Sequence, residues 1–199
     1  MSPEGWLSAE MQGEIVALVH SHPGGLPWLS EADRRLQVQS DLPWWLVCRG
    51  AIYKFRCVPH LTGRRFEHGV TDCYTLFRDA YHLAGIEMPD FHRGDDWWCN
   101  GQNLYLDNME ATGFYRVALT EAMPGDVLLC CFGSSVPNHA AIYCGDGELL
   151  HHIPEQLSKR ERYTDKWQRR THSLWRHRAW HASVFTGIYN DLAAASICV

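Results

Sequence analysis

The residues best suited to covalent chemistry in this chain are Cys73 and His139. Cys73 follows Asp72, a favourable helix N-cap, so its thiol would lie at the positive end of a helix dipole, where the thiolate is favoured. A cysteine considered alone is more often a small core residue. Here a base is also available, because His139 stands at the head of a predicted strand. Together the two residues predict nucleophilic catalysis by a thiol.

Nucleophilic catalysis by a cysteine also needs a group that orients the imidazole, and His151 and His152 are the candidates. Which of them shares a face with His139 depends on the hairpin loop between the two predicted strands. A two-residue loop at 146–147 places His152 there, whereas one further loop residue places His151 there, because a shift of one residue reverses the face. Hairpin preferences alone favour His152.

A second cluster, near the N-terminus, has residue types that bind metals. His20 and His22 end a predicted strand, where the two-residue period puts both imidazoles on one face, as a divalent metal requires. Ser30 and Asp33 follow at the spacing of a helix capping box. Taken singly, each pair has an ordinary structural explanation, a turn in one case and a helix start in the other. The two pairs in succession are much rarer than either pair alone.

Two groups of elements must position these side chains. Before a junction with Pro and Gly at 57–69, the pattern predicts a strand, a helix and a hairpin, over 14–22, 30–39, 44–48 and 51–55. After it, the pattern predicts a helix over 72–83, a loop-like stretch over 86–124, and strands over 126–132, 139–144, 148–153 and 184–189. One helix followed by an antiparallel meander is an α+β arrangement. We predict two segments, 1–58 and 59–199, of which the first is too small to hold a good core alone.

Length and composition exclude several classes of protein. The 199 residues are 46% hydrophobic and 21% charged, as expected of a folded, soluble chain and not of a disordered one. No apolar stretch is long enough to cross a bilayer, and the acidic start of the chain shows no export signal, so we expect no membrane partner. The eight cysteines are scattered, and we interpret them as mostly free thiols formed in a cytoplasm.

One segment is strongly basic, although the chain carries a net charge of −5. Residues 159–181 contain eight Lys and Arg, with Tyr and Trp between them. Such a mixture can stack on nucleobases or contact phosphate, but the overall charge argues against a nucleic-acid partner. We interpret the segment as a solvated surface element or as a contact for another protein.

Three stretches resemble the NlpC-type cysteine peptidases of bacterial cell-wall turnover, namely DCYTLFRDAY around Cys73, GDVLLCC at 125–131 and NHAAIYCGDGELLHH at 138–152. The resemblance covers roughly residues 60–199 and implies a papain-like α+β fold, with a helix packed on an antiparallel sheet. It also implies Cys73 as nucleophile, His139 as base and His151 as the orienting third member. The chain departs from the family at Tyr74, where a serine is common.

The N-terminal pattern HSHP followed by S-x-x-D resembles the JAMM metalloprotease motif at each signature position. That resemblance implies zinc as a cofactor, held by His20, His22 and Asp33, with an upstream glutamate that activates the metal-bound water. No glutamate of this sequence stands in the matching context, so we expect segment 1–58 to be the C-terminal part of such an α/β domain. We therefore expect weak zinc binding or none, and no metal-dependent proteolysis.

The pairing of a JAMM segment with an NlpC-type domain is similar to a family of tail tip assembly proteins in lambda-like bacteriophages. The resemblance implies a late phage protein made in the host cytoplasm, with other tail tip proteins as partners and peptidoglycan, reached in the host periplasm, as a substrate. The first functional hypothesis is a thiol endopeptidase that cleaves peptidoglycan stem peptides. The alternatives are a non-catalytic assembly factor and a maturation protease that acts on tail proteins.

Overall fold

The computed structural model of the protein describes residues 2–196, which form two β-sheets. The first sheet lies in the N-terminal part, whose elements are α1 (Pro3–Glu10), β1 (Leu18–Ser21), α2 (Glu31–Ser40), β2 (Trp44–Cys48) and β3 (Ala51–Phe55). Strand β1 pairs in parallel with β2, and β2 pairs antiparallel with β3. The predicted strand, helix and hairpin of this part are therefore all present.

Strand β1 is shorter than the strand predicted over 14–22. The ladder begins at Leu18 because Leu18 lies opposite Trp44, the first residue of β2. Helix α2 connects the two parallel strands and begins at Ser30, where the predicted capping box with Asp33 is formed. Behind the sheet lies a small buried cluster made of Leu29, Trp44, Leu46 and Phe55.

The second sheet has six strands in the order β4-β9-β5-β6-β7-β8, and each pair is antiparallel. The elements of this part are α3 (Cys73–Leu83), α4 (Leu104–Met109), β4 (Phe114–Val117), β5 (Val127–Cys130), β6 (His139–Gly145), β7 (Glu148–His151), β8 (Lys159–Arg162), α5 (Asp165–Gln168), β9 (Thr171–His177) and α6 (Val184–Ala195). Helix α3 packs on one face of the sheet, over Val127, Leu129 and Ala140. This arrangement confirms the predicted α+β fold. None of the helices in residues 2–196 combines the length and the apolar character that spanning a membrane requires.

The prediction of a closing strand over 184–189 is wrong, because this stretch forms the first half of α6. Its β-branched and aromatic residues suit a strand locally. However, Val184 and Ile188 are one helical turn apart, and both are buried in the cluster that includes the apolar face of α3. Gly187 permits the close approach of the two helices, since a Cβ there would lie 2.0 Å from the carbonyl oxygen of Leu83. Tertiary packing therefore overrides the local preference.

Two further stretches also differ from the predictions. The stretch 86–124, predicted to be loop-like, contains α4 and β4, which bury Tyr105 and Phe114 in the core beside α3. The basic segment 159–181 is a solvated surface element only in part, because it supplies β8, α5 and β9, and β9 lies between β4 and β5 inside the sheet. Its aromatic Trp167 is buried, whereas cationic groups of β8 and α5 reach solvent on long side chains.

A buried ion pair joins the N-terminal part to the last helix. Arg34 of α2 donates to the carboxylate of Asp191 in α6 at 2.8 Å, and both side chains are fully buried. Asp191 also accepts from the backbone N–H of Leu61 and lies beside Nδ1 of His60, each at 2.8 Å. Burial raises the pKa of Asp191, but the hydrogen bond from His60 and the charge of Arg34 outweigh it and hold this pKa below its usual range. Loss of either Arg34 or Asp191 would leave an unpaired buried charge. The ion pair therefore stabilises the contact between the N-terminal part and α6.

Candidate active site

Cys73 opens helix α3, and the start of this helix is held by Asp72. The Asp72 carboxylate accepts hydrogen bonds from the backbone N–H groups of Thr75 and Gly69, both at 2.9 Å. The first is the N-cap bond that the sequence predicted, and the second ties the preceding turn to the helix. The backbone of Cys73 is therefore held on both sides.

Arg93 also holds Asp72, a contact that sequence analysis did not identify. Its guanidinium is largely buried, donates to Asp72 at 2.8 Å and to Thr75 Oγ1 at 3.2 Å, and lies 4.8 Å from the ring centroid of Tyr74. Burial raises the pKa of Asp72, but the hydrogen bonds from Arg93 and from the Thr75 backbone lower it below its usual range. Asp72 is thus a charged and fully bonded cap. The ion pair joins residues 21 positions apart, so no local pattern reveals it.

The thiol of Cys73 is half-buried and contacts the hydroxyl of Tyr105, with Sγ and Oη 3.4 Å apart. Burial raises the pKa of Cys73 to about 11, and the negative charge of Asp72 adds to the effect. The contacts with Tyr105 and with the backbone of Ala140 act in the opposite direction without overcoming it. The thiol is therefore protonated at rest near pH 7, because loss of hydration outweighs the stabilisation of the thiolate at the helix start. Tyr105 is a second site residue that sequence analysis missed, since it lies in the stretch predicted to be loop-like.

His139 is the first residue of β6 and is buried at the head of the strand. Its ring packs against Phe132 and Trp167, with centroids 5.0 and 5.7 Å away. Burial lowers the pKa of His139 to about 3, and repulsion from the histidines at 151 and 152 adds to the shift. The imidazole is therefore neutral near pH 7, and its buried Nε2 has no hydrogen-bond partner.

The hairpin between β6 and β7 brings His151, and not His152, to the side of His139. Its loop is a two-residue turn, as hairpin preferences predict, but Cys144 is left unpaired as a bulge in β6. The bulge shifts the register by one residue and so reverses the face that meets His139. The ring centroids of His139 and His151 are 6.1 Å apart, whereas the ring of His152 lies 5.2 Å from that of Phe66.

Cys73 and His139 line one cavity of about 740 Å³ between the start of α3 and the head of β6. Aromatic side chains and carboxylates make up much of the remaining wall, namely those of Phe66, Trp97, Trp98, Tyr105, Phe132, Asp72, Asp95 and Asp96. A cavity of this size holds a short peptide. The structure therefore places the nucleophile and the base that the sequence predicted in the lining of one cavity.

The metal-type residues His20, His22 and Asp33 also meet, with one candidate ligand atom of each within 4.8 Å of the others. Nε2 of His20 and Nε2 of His22 lie 3.4 and 3.0 Å from the Asp33 carboxylate. Nδ1 of His22 is 3.1 Å from the carbonyl oxygen of Leu26, and Asp33 accepts from the backbone N–H and the hydroxyl of Ser30. Such contacts orient metal ligands and fix an imidazole tautomer. Two imidazoles and a carboxylate suit zinc, so the residues present fit the ion that the motif implies.

Comparison with known proteins assigns the chain to a family. Residues 63–176, just over half of the chain, match the NlpC/P60 family. The chain is 91% identical over 199 residues to the Tail tip assembly protein K of Escherichia phage lambda, with 100% of each chain covered. It is 32% identical over 187 residues to the Tail tip assembly protein K of Escherichia phage N15, over 89% of this chain and 76% of that one.

Two solved structures are similar over part of their length. An NLP/P60 family protein from Staphylococcus aureus, described as similar to lipoprotein, matches with a TM-score of 0.45 and 17% identity over 59% of this chain and 37% of that chain. An NlpC/P60 family protein from Bacillus cereus matches with a TM-score of 0.38 and 20% identity over 53% of this chain and 31% of that chain. The chain thus spans about a third of the length of these solved structures. Because the family match extends over more than half of its residues, the chain belongs to the NlpC/P60 family.

Proposed function

We propose that the protein acts in phage tail tip assembly and is a thiol endopeptidase that cleaves peptidoglycan stem peptides. The observation that carries the proposal is the shared cavity of Cys73, on a capped helix start, and His139, a buried neutral imidazole. Membership of the NlpC/P60 family supports an amide-cleaving activity. The likeness to two tail tip assembly proteins supports other tail tip proteins as partners.

In the proposed reaction the resting pair is uncharged, a thiol and an imidazole. As Cys73 Sγ attacks the carbonyl carbon of the amide, its proton passes to His139, so no buried thiolate has to exist beforehand. The proton then passes from His139 to the leaving amine as the C–N bond breaks and a thioester remains. Water, deprotonated by His139, attacks the thioester, releases the carboxylic acid and returns the proton to the Cys73 sulfur.

The negative charge on the carbonyl oxygen would develop beside the start of α3. Backbone N–H groups at a helix start point outward, and the helix dipole favours a negative charge there. The hydroxyl of Tyr105, 3.4 Å from the Cys73 sulfur, is a further donor near the reacting atoms. These groups stabilise the transition state, although they do not ionise the resting thiol.

Replacement of the nucleophile tests the proposal. Cys73→Ser should lower the release of soluble fragments from purified Gram-negative peptidoglycan at least about 100-fold, because a hydroxyl with the same base lacks the acidity of a thiol. The matched control is Cys99→Ser, which changes an exposed cysteine and should digest at the parent's rate. Fragments would be separated by liquid chromatography. If Cys73→Ser digests the cell wall as fast as the parent, the assignment is wrong.

We also propose that His20, His22 and Asp33 hold a zinc ion. The sequence alone favours weak binding because it contains only part of the expected domain, whereas the contacts of Leu26 with His22 and of Ser30 with Asp33 support firmer binding. A bound zinc ion would act as a Lewis acid or stabilise the segment, while the carbonyl oxygen of Leu26 orients the His22 imidazole through Nδ1. The purified chain should contain about one zinc per molecule by elemental analysis, and His22→Ala should lose it. His68→Ala is the control, and zinc-free parent protein would contradict the proposal.

A further inference from the structure

Glu161 of β8 lies beside His151 because β7 and β8 pair with Leu149 opposite Glu161, and alternate residues of a strand share a face. Glu161 Oε1 is 3.4 Å from His151 Nε2. The same oxygen accepts a hydrogen bond from Trp167 Nε1, and the other carboxylate oxygen is 3.2 Å from Lys159 Nζ. Glu161 is thus held in place by two residues besides the histidine.

The negative charge of Glu161, 3.4 Å from Nε2, favours one tautomer of His151. A carboxylate only accepts hydrogen bonds, so it favours neutral His151 with the proton on Nε2 and a lone pair on Nδ1. Both ring nitrogens of His151 and Nε2 of His139 are buried without a hydrogen-bond partner, so the 3.4 Å contact of His151 Nε2 with Glu161 is electrostatic and not a hydrogen bond. The rings of His139 and His151 are neighbours. Donation from His139 Nε2 to His151 Nδ1 would satisfy both atoms.

We propose that Glu161 is a positioning residue of the active site, which acts through His151 to fix the tautomer and orientation of His139. This inference rests on the proposed thiol hydrolase function. With the proton of neutral His139 held on Nε2, its Nδ1 keeps a lone pair that accepts the proton of Cys73. When His139 becomes positively charged, the polarised His151 and the carboxylate behind it stabilise that charge.

The ionisation states of the two residues agree with this arrangement. The charged groups that face His151 are Glu161, Lys159 and Lys166. Burial lowers the pKa of His151 to about 4, although the carboxylate of Glu161 acts in the opposite direction. Burial raises the pKa of Glu161, but hydrogen bonds from Trp167 and Lys159 outweigh it and lower this pKa below its usual range. Near pH 7 the carboxylate is therefore charged and the imidazole neutral.

Two variants of Glu161 and one control separate positioning from general stability. Glu161→Met removes the acceptor at similar side-chain length, whereas Glu161→Gln keeps one oxygen that can accept from His151. Glu148→Met is the matched control, because Glu148 lies on the opposite face of the same strand pair, 3.6 Å from Arg160. All three proteins should fold, since each change is at a residue that is not fully buried.

The decisive measurements are kcat and KM for hydrolysis of a soluble stem-peptide fragment and the imidazole nitrogen spectrum in NMR. Glu161→Met should lower kcat roughly 10- to 100-fold, as loss of a group that orients an imidazole ligand does in metal sites, with KM unchanged. Glu161→Gln should recover part of the loss, and Glu148→Met should match the parent. In the NMR spectrum His151 should be protonated on Nε2 in the parent and be a mixture of tautomers in Glu161→Met.

An unchanged kcat in Glu161→Met would overturn the inference, whether or not the tautomer changes. An unchanged tautomer together with equal losses of kcat in Glu161→Met and Glu148→Met would also overturn it. If the parent hydrolyses no stem peptide, the proposed function fails. The NMR comparison then decides by itself whether Glu161 sets the tautomer of His151.

Discussion

The two candidate sites hold their histidines in different ways. In the N-terminal cluster, His22 already contacts Leu26 through one ring nitrogen and Asp33 through the other. In the second part, His139, which lines the cavity, and its neighbour His151 are buried, and ring nitrogens of both have no partner. The first arrangement points a lone pair at a fixed position, as a metal ligand needs, whereas the second leaves nitrogens free to exchange protons. Burial and bonding, and not residue type, decide which chemistry a histidine suits.

Both sites also begin at a capped helix, but the capping aspartates differ in their partners. Asp33 belongs to the capping box of α2 and turns its carboxylate toward the two histidines. Asp72 caps α3 and turns its carboxylate toward Arg93, away from any role as a ligand. The ion pair with Arg93 also offsets part of the negative charge beside Cys73. The same local motif thus supports two chemistries because the surroundings of the carboxylate differ.

The sharpest test of the comparison exchanges one histidine in each site for alanine. His139→Ala should lower peptidoglycan hydrolysis about 100- to 10,000-fold, because it removes the general base. His22→Ala should leave hydrolysis unchanged, because its ring lies outside the cavity. The measurement is the initial rate of fragment release from purified peptidoglycan. An equal loss of the hydrolysis rate in both variants would show that hydrolysis depends on both sites.

The same His139→Ala variant separates an enzyme from a non-catalytic assembly factor. If catalysis is needed, His139→Ala and Cys73→Ala should both block production of infectious particles in a complementation assay. Their melting temperatures should stay close to that of the parent. Normal particle yield from both variants would instead support the binding factor.

The two helix caps should differ in their contribution to stability. Arg93→Met leaves the buried charge of Asp72 without its cation, so the free energy of unfolding should fall by about 3 to 5 kcal/mol. Ser30→Ala removes a local cap from α2 and should cost about 1 kcal/mol. Urea denaturation measures both. Arg116→Met, at an exposed arginine, is the control for the first variant and should change little. Equal losses of unfolding free energy in Arg93→Met and Ser30→Ala would contradict the expected difference between the two caps.

Acid should destabilise the protein through the buried histidines at 139 and 151. Unfolded histidines take up protons near pH 6.5, whereas His139 and His151 stay neutral in the folded protein down to about 3 and about 4. The unfolded state then binds more protons, so the free energy of unfolding falls as the pH is lowered from about 6.5 to about 4, by an amount on the order of a few kcal/mol. Urea midpoints measured across this range should show it. His139→Gln should flatten the dependence, and an unchanged slope would contradict the pKa assignment.

Much of the fold could be predicted from the sequence because its signals are local. The apolar face of α3, the N-cap Asp72, the capping box of Ser30 and the two hairpins depend on residues within a few positions of one another. The closing strand predicted over 184–189 was wrong because only the contact of α6 with α3 makes a helix preferable there. Strand β9 was missed for a related reason, since its partners β4 and β5 lie far from it in sequence.

By itself the sequence determined the candidate residues for chemistry: a cysteine at a helix start, a histidine at a strand head and a histidine pair before a capped helix. Only the tertiary structure decided their chemical state. Burial makes the Cys73 thiol and the His139 imidazole neutral, although the local helix dipole alone favours a thiolate. The bulge at Cys144 places His151 beside His139, and pairing of β7 with β8 brings Glu161 to that histidine. Hydration, register and contacts between distant strands depend on the folded chain as a whole, and no short stretch of sequence specifies them.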